Sequence, residues 1–192
     1  ILTDSVEQFS DITESINGDI YATGFTNEDT TGLNVLVARL TNSGSVVWAN
    51  HYGGAGDDIG SALIEDQLGR IMVVGSTMND SVTIGPTGDK DISILTLNSG
   101  GTVLVYKNVG TATEEYATTI LQESANEYIV GGNIGFGGGN RADGFLISLD
   151  TNLTLSNGVF FGLNGNDNIE DVKSIGGGSL MVASVSESSF GT

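Results

Sequence analysis

The segment WANHYGGAGDDIGSAL, Trp48 to Leu63, places two adjacent carboxylates, Asp57 and Asp58, behind the glycine pair Gly53 and Gly54. Two chemistries suit such a set. Carboxylates ligate calcium when several oxygens converge from a loop with a defined order of acids. They also accept backbone N–H bonds and lock a turn that glycine allows to bend. No Asn/Asp ladder precedes this pair and the EF-hand order is absent. Turn-locking by Gly53, Gly54, Asp57 and Asp58 is therefore the expectation. Calcium at Asp57 and Asp58 is the alternative, and no other cofactor is indicated.

Other chemistry finds less support. The glycine-dense run GFGGGN at 135–140 lacks the Gly-Lys-Ser/Thr ending and the following helix of a phosphate loop. His51 is the single histidine, and neither H-E-x-x-H nor G-x-S-x-G occurs. A triad would need a nucleophile and an orienting acid placed around that histidine. Paired carboxylates brought together from distant loops, as in glycoside hydrolysis, stay open as an alternative. For sugar recognition, a flat aromatic face beside amides and charged groups is the usual kit. Phe136 with Asn140 and Arg141 fits best, with Asn79 and Asp80 on a second loop. Asn79-Asp-Ser and Asn152-Leu-Thr match the glycosylation sequon.

The elements that carry these residues are strand-sized. Glycine accounts for 29 of 192 residues and proline for one. Short apolar runs alternate with Gly/Asn/Asp turns, which points to many short strands. The net charge of -18 opposes nucleic acid and anionic membranes. Cysteine is absent, so disulfides and thiolate metal sites are excluded. No apolar run approaches the roughly 20 residues of a membrane-spanning helix. Membrane insertion is not expected.

The runs recur. Gly24, Gly75 and Gly132 close NGDIYATG, LGRIMVVG and NEYIVGG at spacings of 51 and 57, and Ser184 follows 52 later. Asn34, Asp91 and Asp143 open NVLVARLT, DISILTLN and DGFLISLD at spacings of 57 and 52, and Gly53, Gly110 and Gly162 keep the same offsets. A further series opens each unit, with Ile12, Leu63, Ile120 and Val172 equivalent. Each unit thus holds four strands, a to d, at roughly 9–14, 19–25, 34–41 and 46–52 in the first. The units run approximately 7–58, 59–115, 116–168 and an incomplete 169–192. The b–c connection varies most, from FTNEDTTGL to STMNDSVTIGPTGDK to NIGFGGGNRA. Variable loops on one rim of a repeating scaffold are where binding tends to specialise.

Four-stranded units of about 50 residues suggest an all-β fold of propeller blades, about three and a half in this chain. A β-solenoid or an irregular β-sandwich is the alternative. WANHYGGAGDD, the b strand with its terminal glycine, and DISILTLNSGG resemble the repeats of bacterial secreted and cell-surface β-propellers, the seven-bladed and SBBP-type families. The resemblance departs at GTATEE (110–115) and NGNDN (164–168), and where Val105 and Asn157 stand in the place of Trp48. It implies an extracellular or cell-surface location. It also implies a non-catalytic role as an adhesion or structural scaffold, with glycan or protein binding through the b–c loops. Part of a secreted polysaccharide-active enzyme is the competing function. The expected partners are further blades, from the same protein or another chain, that complete a ring of roughly six to eight, and a glycan or surface protein. Strand a should lie innermost and strand d outermost.

Overall fold

The computed structural model describes residues 6–28, 32–78, 83–84, 90–135, 142–162 and 165–186. All regular elements among them are strands. Sheet one holds β1 (Glu7–Glu14), β2 (Ile20–Thr26), β3 (Asn34–Leu40) and β4 (Val46–Tyr52) in chain order. Sheet two holds β5 (Asp58–Glu65), β6 (Ile71–Thr77), β8 (Asp91–Leu97) and β9 (Val103–Val109), with β7 (Thr83–Ile84) added outside β9. Sheet three holds β10 (Glu115–Ser124), β11 (Glu127–Gly135), β12 (Ala142–Leu149) and β13 (Leu155–Phe161). In the fourth, β14 (Asp167–Gly176) pairs with β15 (Ser179–Ser186). Neighbours within the four-stranded meanders are antiparallel. The fold is a series of repeated antiparallel sheets, as the spacing predicts. Residues 62–67, ALIEDQ, run as strand to Glu65 and then turn, with the Gly69 N–H on the Asp66 carbonyl.

The sheets stack face to face, and three apolar layers fill the gaps. Tyr21, Val35 and Val37 of sheet one meet Leu63, Ile71, Val73 and Leu95 of sheet two. Met72, Val74 and Ile94 on the other face of sheet two meet Ile120, Val130, Phe145 and Ile147 of sheet three. Ile129 and Leu146 then meet Ile169 and Val172. Because sheet two is covered on both faces, β6 and β8 are buried along their full lengths. A strand with two buried faces reads as a continuous apolar run rather than an alternation, as IMVV at 71–74 does, whereas in β8 the buried Asp91, Ser93 and Thr96 interrupt the run.

One local distortion recurs in every sheet. The a–b register slips between Phe9 and Asp11, Gly60 and Ala62, Ala117 and Thr119, and Ile169 and Asp171. Each slip is a β-bulge, two residues of strand a opposing one of strand b. The residue paired just before it is Gly24, Gly75, Gly132 or Ser184. A Cβ on Gly24 would lie 1.8 Å from the Gln8 carbonyl oxygen, on Gly75 1.8 Å from that of Ile59, and on Gly132 2.0 Å from that of Tyr116. The repeated glycine is thus required by the carbonyl that the bulge drives against strand b.

A second pair of repeat marks also meets in space. The side chains of Asn34, Asp91 and Asp143 cover Gly53, Gly110 and Gly162, where a Cβ would stand 2.3, 1.9 and 2.2 Å from the nearest side-chain oxygen. The first residue of strand c therefore packs on the glycine that ends strand d. The c–d hairpins turn through a left-handed residue at the same position in each unit: Gly44, Gly101 and, with φ 59°, Leu153.

The long b–c connection of sheet two departs from a simple loop. Its Thr83 and Ile84 pair in parallel with Asn108 and Val109. Strand d has an outer edge with unpaired backbone groups, and an added strand satisfies them.

Gly75→Ala should cost about 3 kcal/mol or more, since strand and bulge must both shift. Gly100→Ala should be near neutral, because its Cβ would meet just one atom, Asn98 Oδ1, at 3.3 Å. Urea denaturation of the two variants tests the difference.

Candidate functional site

The first strands of the four sheets come together. A polar cleft of about 400 Å³ is lined by Ser10–Thr13, Ser61–Ile64, Thr118–Ile120 and, from the fourth sheet, Glu170, Asp171 and Lys173. The bulges place their extra residue here, at Ser10, Ser61, Thr118 and Glu170. The cleft-lining strands carry carboxylates that bond across sheets. Asp11 accepts the N–H of its neighbour Ile12 at 2.8 Å and that of Leu63 in sheet two at 2.9 Å. Asp171 holds the equivalent position in the fourth sheet. It accepts the N–H of Val172 at 2.8 Å and the hydroxyl of Thr119 in sheet three at 3.1 Å, and pairs with Lys173 at 3.3 Å. Thr118 Oγ1 donates to the Ile169 carbonyl at 2.6 Å. These groups tie sheet one to sheet two and sheet three to the fourth sheet. Spacing alone could have found them, since 11, 62, 119 and 171 keep the offsets of the repeated glycines.

The d-to-a corners use carboxylates in the same way. Asp58 is fully buried and opens β5. Its Oδ2 accepts the Gly54 N–H at 2.8 Å, and its Oδ1 accepts the Tyr106 hydroxyl at 3.2 Å. Burial, reinforced by the neighbouring Asp58 carboxylate, pushes the Tyr106 phenol up to about 12. Asp57 Oδ1 accepts the Leu33 N–H at 2.9 Å, tying the corner to the b–c connection of sheet one. At the next corner Glu115 takes the part of Asp58. It accepts the Thr111 N–H at 3.0 Å and the hydroxyls of Thr111 and Thr113. One extra methylene reaches the same residue four positions upstream.

A third buried carboxylate joins sheets two and three. Asp66 accepts the N–H groups of Leu68 and Arg70, at 2.9 and 2.8 Å, and the Arg70 Nε at 2.7 Å. The Tyr128 hydroxyl donates to it at 2.9 Å and receives Arg70 Nη2 at 2.7 Å. Burial alone would raise the Asp66 carboxyl, but the bonds from Arg70 and Tyr128 outweigh it and hold the group below its ordinary value.

His51 lies on the outer strand β4, its Nδ1 3.6 Å from Glu28 Oε2. Trp48, Tyr52 and Tyr106 pack against the layer between sheets one and two, whereas Phe160 is 62% exposed. Phe136, Asn140, Arg141, Asn79 and Asp80 lie outside the described residues. Asn152 stands in the β12–β13 hairpin, its N–H on Asp150 Oδ1. Among the described residues no three His, Asp or Glu side chains gather closely enough to hold a metal ion, and no helix is long and apolar enough to cross a membrane.

No protein-family model matches the chain, and no curated protein matches it.

Asp58→Ala should lower stability by about 2–3 kcal/mol, because the Gly54 N–H and the Tyr106 hydroxyl lose a charged acceptor. Its melting curves, and those of the unaltered chain, should coincide in calcium and in chelator. A rise of many degrees with calcium would instead indicate a bound cation. For Asp66, a depressed folded pKa means that its contribution is present above the ordinary carboxylate value, about 4, and is lost as pH falls through the folded value. Asp66→Asn should therefore be less stable at pH 7 and flatter below pH ~4 in stability-versus-pH profiles.

Proposed function

We propose that this chain is a segment of an extracellular or cell-surface β-propeller that serves as a non-catalytic scaffold for adhesion. The observation that carries the reading is the convergence of the four first strands on one cleft, with strands d on the outside. Blades around an axis produce that order. A solenoid, which stacks its strands along a line, offers no such common cleft.

The use of the carboxylates supports the scaffold role. Asp11, Asp58, Asp66, Glu115 and Asp171 each accept backbone or hydroxyl donors that close a corner or join two sheets. Apolar side chains on the two end sheets support further blades as partners: Phe9 and Ile12 on β1 are 46% and 66% exposed, and Met181 and Val185 on β15 are 59% and 52% exposed. Binding belongs to the b–c loops, where Phe136, Asn140, Arg141, Asn79 and Asp80 escape the repeat. The surplus of acid favours neutral ligands over polyanions.

A glycan screen tests the proposal. Neutral glycans should bind, heparin should not, and Phe136→Ala or Arg141→Ala should weaken binding about tenfold or more. Asp58→Ala, if folded, should leave affinity unchanged. Tight heparin binding, or a footprint confined to 53–58 and 110–115, would overturn it.

A further inference from the structure

Between sheets two and three lies a second cleft, of about 370 Å³ and walled by aliphatic and aromatic side chains. Its counterpart between sheets one and two, about 390 Å³, is lined from sheet two by Leu95, Val103 and Tyr106. The strand registers make the two directly comparable. Tyr106 pairs with Leu95 in sheet two, and Gly158 pairs with Ile147 in sheet three. Gly158 therefore stands where Tyr106 stands, and Glu115 where Asp58 stands. In sheet two the Tyr106 ring crosses the cleft wall and its hydroxyl donates to Asp58. In sheet three the acceptor persists without the phenol. Glu115, 3% exposed, lines the cleft beside Ile92, Ile147 and Leu153.

We propose that this cleft binds a phenolic ring, which takes the place that Tyr106 occupies in the preceding sheet. The ring packs on Ile92, Ile147, Leu153 and Phe160, and the hydroxyl donates to Glu115. A carboxylate has roughly four lone-pair positions. The Thr111 N–H and the hydroxyls of Thr111 and Thr113 take three on Glu115, leaving room for one more donor. The size and the apolar lining with a polar anchor are those of small-molecule sites. Lys107 shapes the outer part of the cleft, since its ammonium holds the Leu153 carbonyl. Leu153 itself is buried and kept at positive φ, with its side chain in the layer between the two sheets. The inference is independent of the propeller and adhesion reading, because it rests on a local comparison of two sheet junctions.

Calorimetric titration with p-cresol tests it. The full chain should bind one equivalent, with a dissociation constant on the order of 0.1–1 mM, as suits so few atoms. Toluene, which lacks the donor, should bind about tenfold more weakly. Gly158→Tyr supplies the ring covalently and should abolish binding. A Cβ there would meet Ile147 Cγ2 at an ordinary 3.5 Å. Should that variant not fold, nuclear Overhauser contacts from the p-cresol methyl and ring to Ile147 and Leu153 in the unaltered chain serve instead. N-acetyltyrosinamide separates two sources of the ring. Its exclusion assigns free phenols, and binding equal to p-cresol assigns tyrosine side chains. Absence of saturable binding by either, contacts elsewhere, or undiminished binding by a folded Gly158→Tyr would overturn the proposal.

Discussion

The carbonyl that each first strand presses against its neighbour is the constraint on which the other features rest. A strand without the bulge would pair evenly and continue flat. With it, strand a twists and re-aims its side chains, so that Leu63, Ile120 and Val172 after the slip pack against the preceding sheet. Ile12, Leu63, Ile120 and Val172 follow the slip by two or three positions, and Leu63, Ile120 and Val172 are buried. The same distortion brings Asp11 to the Leu63 N–H, and Asp171 to the Thr119 hydroxyl, of the sheet beside each. Sheet geometry, inter-sheet bonding and the cleft of the first strands thus have a common origin in the bulge, which in sheets one to three leaves no space for a β-carbon on the paired residue. Ser184 stands in the equivalent place in the fourth sheet, opposite Ile169.

Polar burial follows a consistent logic. Asp58, Asp66 and Glu115 are almost wholly removed from water, a costly arrangement unless each oxygen finds donors. Each does so locally first, through a backbone N–H four residues away: Gly54 to Asp58, Arg70 to Asp66 and Thr111 to Glu115. A second donor then arrives from a distant element, Tyr106 for Asp58 and Tyr128 for Asp66. The local bond fixes a turn, and the distant one fixes how that turn packs. Repetition of the first with variation in the second lets each junction differ while the scaffold stays the same.

Most of the architecture was legible because repetition amplifies weak local signals. Four runs of seven or so residues would each be ambiguous, but the matched offsets of Gly24, Gly75 and Gly132 make them strands of equivalent units. The physical cause of those glycines was not legible, since a close approach between strands appears in neither sequence alone. The c–d hairpin shows the same limit. Gly44 and Gly101 announce a left-handed turn, whereas Leu153 adopts it against its own preference because burial between sheets two and three holds the side chain. The adjacency of Asp57 and Asp58 was visible, but not their division of labour between the Leu33 and Gly54 amides. Nor did local pattern reveal that Thr83 and Ile84 return to pair with β9, because two residues carry no periodicity.

That short parallel pairing has a consequence for self-association. The outermost strand of a meander offers a ladder of backbone donors and acceptors to any passing chain, and edge-to-edge growth between molecules begins on such ladders. In sheet two, β7 already sits against the far end of β9 and shortens the template. Among the described residues β4 and β13 have no such guard. If molecules of this protein polymerise through main-chain pairing at high concentration, the seams should form between the rims of sheets one and three, leaving sheet two as the interrupted step that keeps a fibre from propagating around the molecule.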